Sequence, residues 1–180
     1  MRLPGVPLLT AAAKGFGSAP CLALYFSSSW CPECKDFTPL LKSTYESVNT
    51  AGQPNRLDVV YVSSDGSAQE MQDCMDRSHA AWAAVPFDGD HRTALKQRYS
   101  ICAMREMSAV GVSKRVDGIP SLVVLNPSCD VITLKGVADI RLKGAAAIDE
   151  WTAKAGQSAT ETGGSQEGFD GPVCRKGGPC

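Results

Sequence analysis

A chain of 180 residues with 43% hydrophobic content can bury about two thirds of the surface its unfolded form exposes, so one domain closes without covalent staples. Lys and Arg number 18 against 19 Asp and Glu, a net charge of −1, which removes any global electrostatic case for nucleic acid or an anionic membrane. No apolar run approaches the length of a membrane span.

Residues 1–20 are rich in Pro, Gly and Ala and read as a lead-in, with residues 8–13 as a candidate edge strand or helical turn. Leu22 to Phe26 is a continuous apolar run, which fits a strand covered on both faces near the centre of an α/β sheet. Trp30-Cys31-Pro32-Glu33-Cys34 follows and opens a helical pattern. Phe37, Leu40, Leu41, Thr44, Tyr45 and Val48 recur at helical spacing, which predicts an amphipathic helix ending near Gly52 and kinked at Pro39. Leu57 to Val62 reads as a second buried strand, parallel to the first.

Ser67-Ala68-Gln69-Glu70 has the capping-box pattern, and Met71, Cys74 and Met75 give the helix behind it a soft apolar face. Residues 82–87 form an apolar loop closed by Pro86, in which Trp82 reads first as a core residue. A short helix is expected over residues 91–99, and residues 102–117 show no period, so a loop or a broken helix is expected. Ser121–Leu125 and Val131–Leu134 flank the turn-forming Asn126-Pro127-Ser128-Cys129-Asp130 and predict an antiparallel hairpin. Gly144 precedes a last helix with Ile148, Trp151 and Ala155 on one face. The division is a lead-in over 1–20, a domain over 21–155 and a Gly/Ser-rich tail over 156–180 that is expected to be disordered.

The chemistry concentrates in the dithiol. At the start of a helix, Cys31 and Cys34 lie three residues apart on one face, close enough for their sulfurs to bond. Cys31 then meets the unpaired N–H groups and dipole of the helix N-terminus, which favour an anion, and becomes the nucleophile by position. Cys34, one turn further in, is the resolving thiol. A zinc site needs a second Cys-x-x-Cys or a His pair, and neither precedes the tail, since the two histidines are the well-separated His79 and His91. No metal is expected, and no cofactor beyond the Cys31–Cys34 disulfide itself. The remaining cysteines of the eight are scattered rather than set at framework intervals. A reducing, cytoplasmic compartment is the default, with an organellar address in residues 1–20 as the alternative.

Strand, dithiol helix, strand, helix, Ile119-Pro120, hairpin and final helix is the order of a thioredoxin fold, a mixed β-sheet flanked by helices. The segments Tyr25 to Cys34, Phe37-Thr38-Pro39, Ala84-Val85-Pro86-Phe87 and Ile119-Pro120-Ser121-Leu122 resemble tryparedoxin and its relative nucleoredoxin. The resemblance implies a protein-disulfide reductase that relays electrons from a low-molecular-weight dithiol such as trypanothione, or from glutathione, to peroxiredoxins and other disulfide-bearing clients, working as a monomer. It implies that Cys31 attacks and Cys34 resolves, and that Trp30, Pro32, Glu33, Ile119 and cis-Pro120 frame the dithiol and bind the partner. Trp82 and Pro86 match a loop nearby and are secondary candidates. Cys174 and Cys180, beside Arg175 and Lys176, are candidates for a second redox pair reaching the dithiol from the tail.

Three features depart from that pattern. Thioredoxins carry a buried aspartate as proton acceptor where this chain has Tyr25, as tryparedoxins also do. Glu33 replaces the second proline of the tryparedoxin dithiol. Residues 102–117 look like an insertion that emerges beside the dithiol, where Arg105, Lys114 and Arg115 would meet an acidic client. The competing expectation is a nucleoredoxin-like module that docks a client according to the dithiol state without turning over.

Overall fold

The computed structural model describes residues 18–158. Five strands, β1 (Cys21–Ser27), β2 (Leu57–Ser63), β3 (Ala83–Ala84), β4 (Ser121–Leu125) and β5 (Val131–Thr133), form one mixed sheet in the order β3-β2-β1-β4-β5. β1 pairs in parallel with β2 from Cys21 opposite Leu57 to Ser27 opposite Ser63, and antiparallel with β4 from Leu22 opposite Leu125 to Phe26 opposite Ser121. β2 pairs in parallel with β3, and β4 with β5 as the expected hairpin.

Five helices surround the sheet: α1 (Pro32–Val48), α2 (Ala68–Ser78), α3 (His91–Tyr99), α4 (Gly136–Lys143) and α5 (Ala146–Ser158). Alternation along β1 sends Ala23 and Tyr25 into one core with residues of α1, α2, α4 and α5, and Leu24 and Phe26 into a second core with Leu95 and Tyr99 of α3. Both faces are therefore covered, which is why residues 22–26 of β1 and 59–62 of β2 read as apolar runs.

Several expectations need correction. α1 stops at Val48 rather than near Gly52, because the Asn49 amide donates to Leu57 O at 2.7 Å while its Oδ1 accepts from the Arg56 and Leu57 N–H groups. Pro39 lies inside α1, as expected. The capping box is displaced by one residue: Ser67 Oγ accepts from Glu70 N as expected, but the Glu70 carboxylate accepts from Gly66 N at 2.8 Å instead of from the cap. Ala83-Ala84 in the supposed loop is a third parallel strand, and α4 lies in a stretch that showed no helical period. Residues 156–158, expected to begin a disordered tail, instead form the end of α5; the lead-in strand over residues 8–13 and the tail from residue 159, with Cys174 and Cys180, lie outside the described residues.

Candidate active site

β1 ends at Ser27, and the chain turns through Ser28-Ser29-Trp30 before α1 begins at Pro32. Asp65, just past the end of β2, fixes that turn: its Oδ1 accepts from Ser29 N at 2.7 Å, and its Oδ2 accepts from Tyr61 Oη and Ser63 Oγ, each at 2.7 Å. Burial works against the charge, yet these bonds outweigh it and hold the carboxyl below its ordinary range. Ser64 continues the brace, its carbonyl accepting from Trp30 Nε1 at 3.1 Å. Neither residue was singled out from the sequence. Their signal was positional, since loops at the carboxyl ends of parallel strands are where α/β sheets build sites.

Cys31 is the N-cap of α1, with extended backbone, and its Sγ accepts from Cys34 N at 3.2 Å. The sulfur thus takes up one of the helix's orphan N–H groups, an arrangement that suits a thiolate. Its rim reaches solvent at 5% exposure, whereas Cys34 is fully buried behind it. Both are free thiols. Burial, with a smaller contribution from the hydrogen bond and charge of Cys31, pushes the Cys34 thiol up to about 12; hydrogen bonds from Ser27 and the Ser28 backbone only partly oppose this. The Ile119–Pro120 bond is cis, and Ile119 O lies 3.7 Å from Cys31 Sγ, so the dipeptide faces the nucleophile.

A cleft of about 430 Å³ opens over Cys31. Trp30, Pro32, Glu33, Ala103 to Arg105, Arg115, Gly118 and Ile119 line it with Cys31. Of the sequence-stated candidates, the cleft brings together Trp30, Cys31, Pro32, Glu33 and Ile119, with Pro120 adjoining. Trp82 is elsewhere: at 1% exposure it packs edge-on against Tyr25 and Tyr45 in the first core, and Pro86 follows β3 outside the cleft lining. Lys114 is exposed and does not line it either.

Residues 102–117 are anchored rather than loose. A 3-10 turn at Met104–Glu106 places Glu106 where its carboxylate accepts from Lys96 Nζ at 2.7 Å, from Ser64 Oγ and from Ala103 N at 2.9 Å. Ser64 therefore ties the insertion to Trp30 through its two oxygens. Cys102, Val110 and Val112 form a small core of their own. The Arg105 guanidinium lies 3.5 Å from the centre of the Trp30 ring.

A family model described as Thioredoxin-like matches residues 20–131. Nucleoredoxin of Bos taurus is 32% identical over 120 residues, 66% of this chain and 23% of that protein. Tryparedoxin of Trypanosoma brucei brucei is 33% identical over 109 residues, 61% of this chain and 62% of that protein. The chain thus spans less than two thirds of either relative's length. Thioredoxin from Wuchereria bancrofti superposes with a TM-score of 0.62 at 31% identity, covering 85% of this chain and 98% of that one. A tryparedoxin II complexed with glutathionylspermidine gives 0.59 at 25% identity, covering 81% and 90%. The matched span holds the sheet core, the dithiol and the cis-proline that faces it, and the chain belongs to the Thioredoxin-like family as a nucleoredoxin- and tryparedoxin-like member.

Proposed function

We propose that this protein is a thiol-disulfide oxidoreductase in which Cys31 attacks and Cys34 resolves. It would carry electrons from a low-molecular-weight thiol, of the glutathione or trypanothione type, to disulfides of client proteins such as peroxidases. The observation that carries the reading is the asymmetry of the pair: one sulfur rims the cleft and accepts a helix N–H, and the other is sealed behind it. The family supports thiol oxidoreductase chemistry in general, and the complexed tryparedoxin supports a small thiol as donor type. The proposal takes the protein to act as a cytoplasmic monomer that uses no redox group beyond the dithiol.

In the forward half-reaction the Cys31 thiolate attacks one sulfur of the client disulfide. A Cys31–client bond forms, the client S–S bond breaks, and the other client sulfur leaves as a thiolate that takes a proton from water. Cys34 then loses its proton to solvent and attacks Cys31 Sγ, releasing the client dithiol and leaving a Cys31–Cys34 disulfide. Two donor thiols reduce that bond and are oxidised to a disulfide in turn. Once Cys31 is capped by the client, its bond to Cys34 and its charge no longer hold the Cys34 proton on, so the resolving thiol ionises more readily at the step that needs it. Trp30, Pro32, Glu33, Ile119 and Pro120 frame the client strand during this exchange.

Cys34→Ser is expected to accumulate a stable mixed disulfide with an oxidised client, and Cys31→Ser to trap nothing, read by mass spectrometry. Equal trapping by both variants would reverse or remove the assignment. A turnover assay with a small dithiol donor separates this reading from a nucleoredoxin-like regulatory module, which would exchange once per molecule and stop.

A further inference from the structure

The insertion gives the cleft a charge pattern that the dithiol alone does not need. Arg105 is exposed, with its guanidinium over the ring of Trp30, the residue that immediately precedes the nucleophile. Arg115 is half-buried; its Nη1 donates to Cys102 O at 3.1 Å, and a Cβ built on Gly118 would come 3.1 Å from the same nitrogen. The guanidinium therefore sits over the residue that leads into Ile119, whose carbonyl faces Cys31 Sγ. The remaining N–H groups of both forks are left for a ligand, because among the described residues neither arginine has a carboxylate within ion-pair distance. The one acid lining the cleft is Glu33, and it is not within ion-pair distance of either arginine.

This wall is held in place. Glu106 ties its 3-10 turn to α3 through Lys96 and to the Trp30 brace through Ser64. Its two ends are joined by a parallel bridge between Ile101 and Asp117 and by Val116 N donating to Ser100 O at 2.8 Å. A fixed pair of guanidinium groups over a cleft of about 430 Å³ has the size and chemistry of a small-molecule anion site rather than of a solvated loop.

We infer that the insertion makes this dithiol selective for small disulfides that carry carboxylates, and that it disfavours polycationic ones such as those built on a polyamine. This rests on the oxidoreductase reading above and chooses between its two donor types, because reduction of a donor's disulfide is the donor step run in reverse through the same mixed disulfide. Arg105 and Arg115 receive the carboxylates. When Cys31 attacks, the Cys31–S bond forms, the substrate S–S bond breaks, and the departing thiolate is protonated from water. Cys34 then displaces the second thiolate, so one disulfide is reduced to two thiols as the protein dithiol is oxidised.

The test uses the full chain, reduced and freed of reductant, mixed at low salt with three disulfides: glutathione disulfide, which is anionic at neutral pH, cystamine, which is cationic, and bis(2-hydroxyethyl) disulfide, which is neutral. Quenched-flow mass spectrometry follows dithiol loss. Each arginine is expected to favour the anionic probe over the cationic one by about fivefold to tenfold. Arg105→Gln and Arg115→Gln should each reduce the anion-to-cation rate ratio about fivefold, Arg105→Lys should keep most of it, and Arg105→Glu should invert it. High salt should flatten the ratio in the parent chain. Purely structural damage would slow both probes alike and leave the ratio standing, which would overturn the inference, as would a ratio near one in the parent chain. A flat ratio for small disulfides, with loss of reaction toward an acidic protein disulfide in Arg105→Gln, would assign the wall to protein clients and remove the small-molecule site. Failure to react even with the neutral probe would overturn the oxidoreductase reading itself.

Discussion

Tyr25 occupies the position where thioredoxins place a buried aspartate, and its environment shows that it cannot substitute as a base. Its hydroxyl lies 2.8 Å from Thr38 Oγ1, which in turn donates to Cys34 O at 2.7 Å, and burial raises the phenol above its ordinary range. Loss of the hydroxyl proton is thus disfavoured, and the ring packs among Phe37, Tyr61, His79 and Trp82. His79 gives this cluster a measurable pH dependence. Burial pushes its pKa down to about 4, with Asp65 opposing weakly and Lys42 adding to the shift. Between about pH 6.5 and 4 the unfolded chain binds a proton at this histidine and the folded chain does not, so the contribution is complete above about 6.5 and is lost as pH falls toward 4. The loss amounts to about 3 kcal/mol at most. Urea titrations across that window should show a shallower decline for His79→Phe than for the parent chain. Identical slopes would mean the histidine protonates without unfolding. The placement of Cys31 at the start of α1 and of Cys34 one turn further in was legible because a dithiol that follows a strand and opens a helical pattern fixes it; the part played by Asp65 and Ser64 was not, because each braces the turn through a backbone group that no side-chain pattern announces.

The insertion is the element that sequence left least determined and that the structure resolves through one buried ion pair. Lys96 is 1% exposed, and Glu106 supplies its salt bridge at 2.7 Å while also receiving Ser64 Oγ and Ala103 N. Burial lowers the Lys96 pKa and the Glu106 bond restores part of it. Glu106→Ala would leave a buried ammonium, a hydroxyl and an N–H without their partner, and is expected to cost about 3 kcal/mol in a urea titration. Lys96→Met combined with Glu106→Leu should recover much of that loss, because the uncompensated charge is gone. If the double variant is no better than the single one, the network's worth lies in the Ser64 and Ala103 bonds instead. α4 escaped notice for a related reason. Only Gly136 and Ile140 are buried along its eight residues, so no apolar stripe marks it. What places it is contact with β4: a Cβ on Gly136 would meet Leu122 O at 2.6 Å. β3 was missed because two alanines are too short to show alternation.

At the scale of the molecule, the order of strands and helices was readable because β1, β2 and β4 are apolar on both sides and so belong inside a covered sheet. Which helix covers which face was not readable, since that depends on crossover handedness and on contacts distant in sequence. The outcome is two cores that share the same strands: Leu41 of α1 lies in one and Leu95 of α3 in the other, with Leu24 and Tyr25 as neighbours on β1 facing opposite ways. A sheet that carries both cores should make them one cooperative unit. Leu41→Ala and Leu95→Ala are each expected to cost about 2–5 kcal/mol. The informative variant is Leu95→Ala in a Trp30→Phe background, because the two remaining tryptophans, Trp82 and Trp151, both report on the opposite face. If the strands transmit the loss, tryptophan fluorescence and far-ultraviolet circular dichroism will give one coincident transition shifted to lower urea. A fluorescence midpoint left at its parent value, with helical signal lost earlier, would mean that α3 and the second core unfold by themselves. The dithiol would then sit on a sheet whose α3 side, to which Lys96 anchors the arginine wall, opens independently of the side that carries α1.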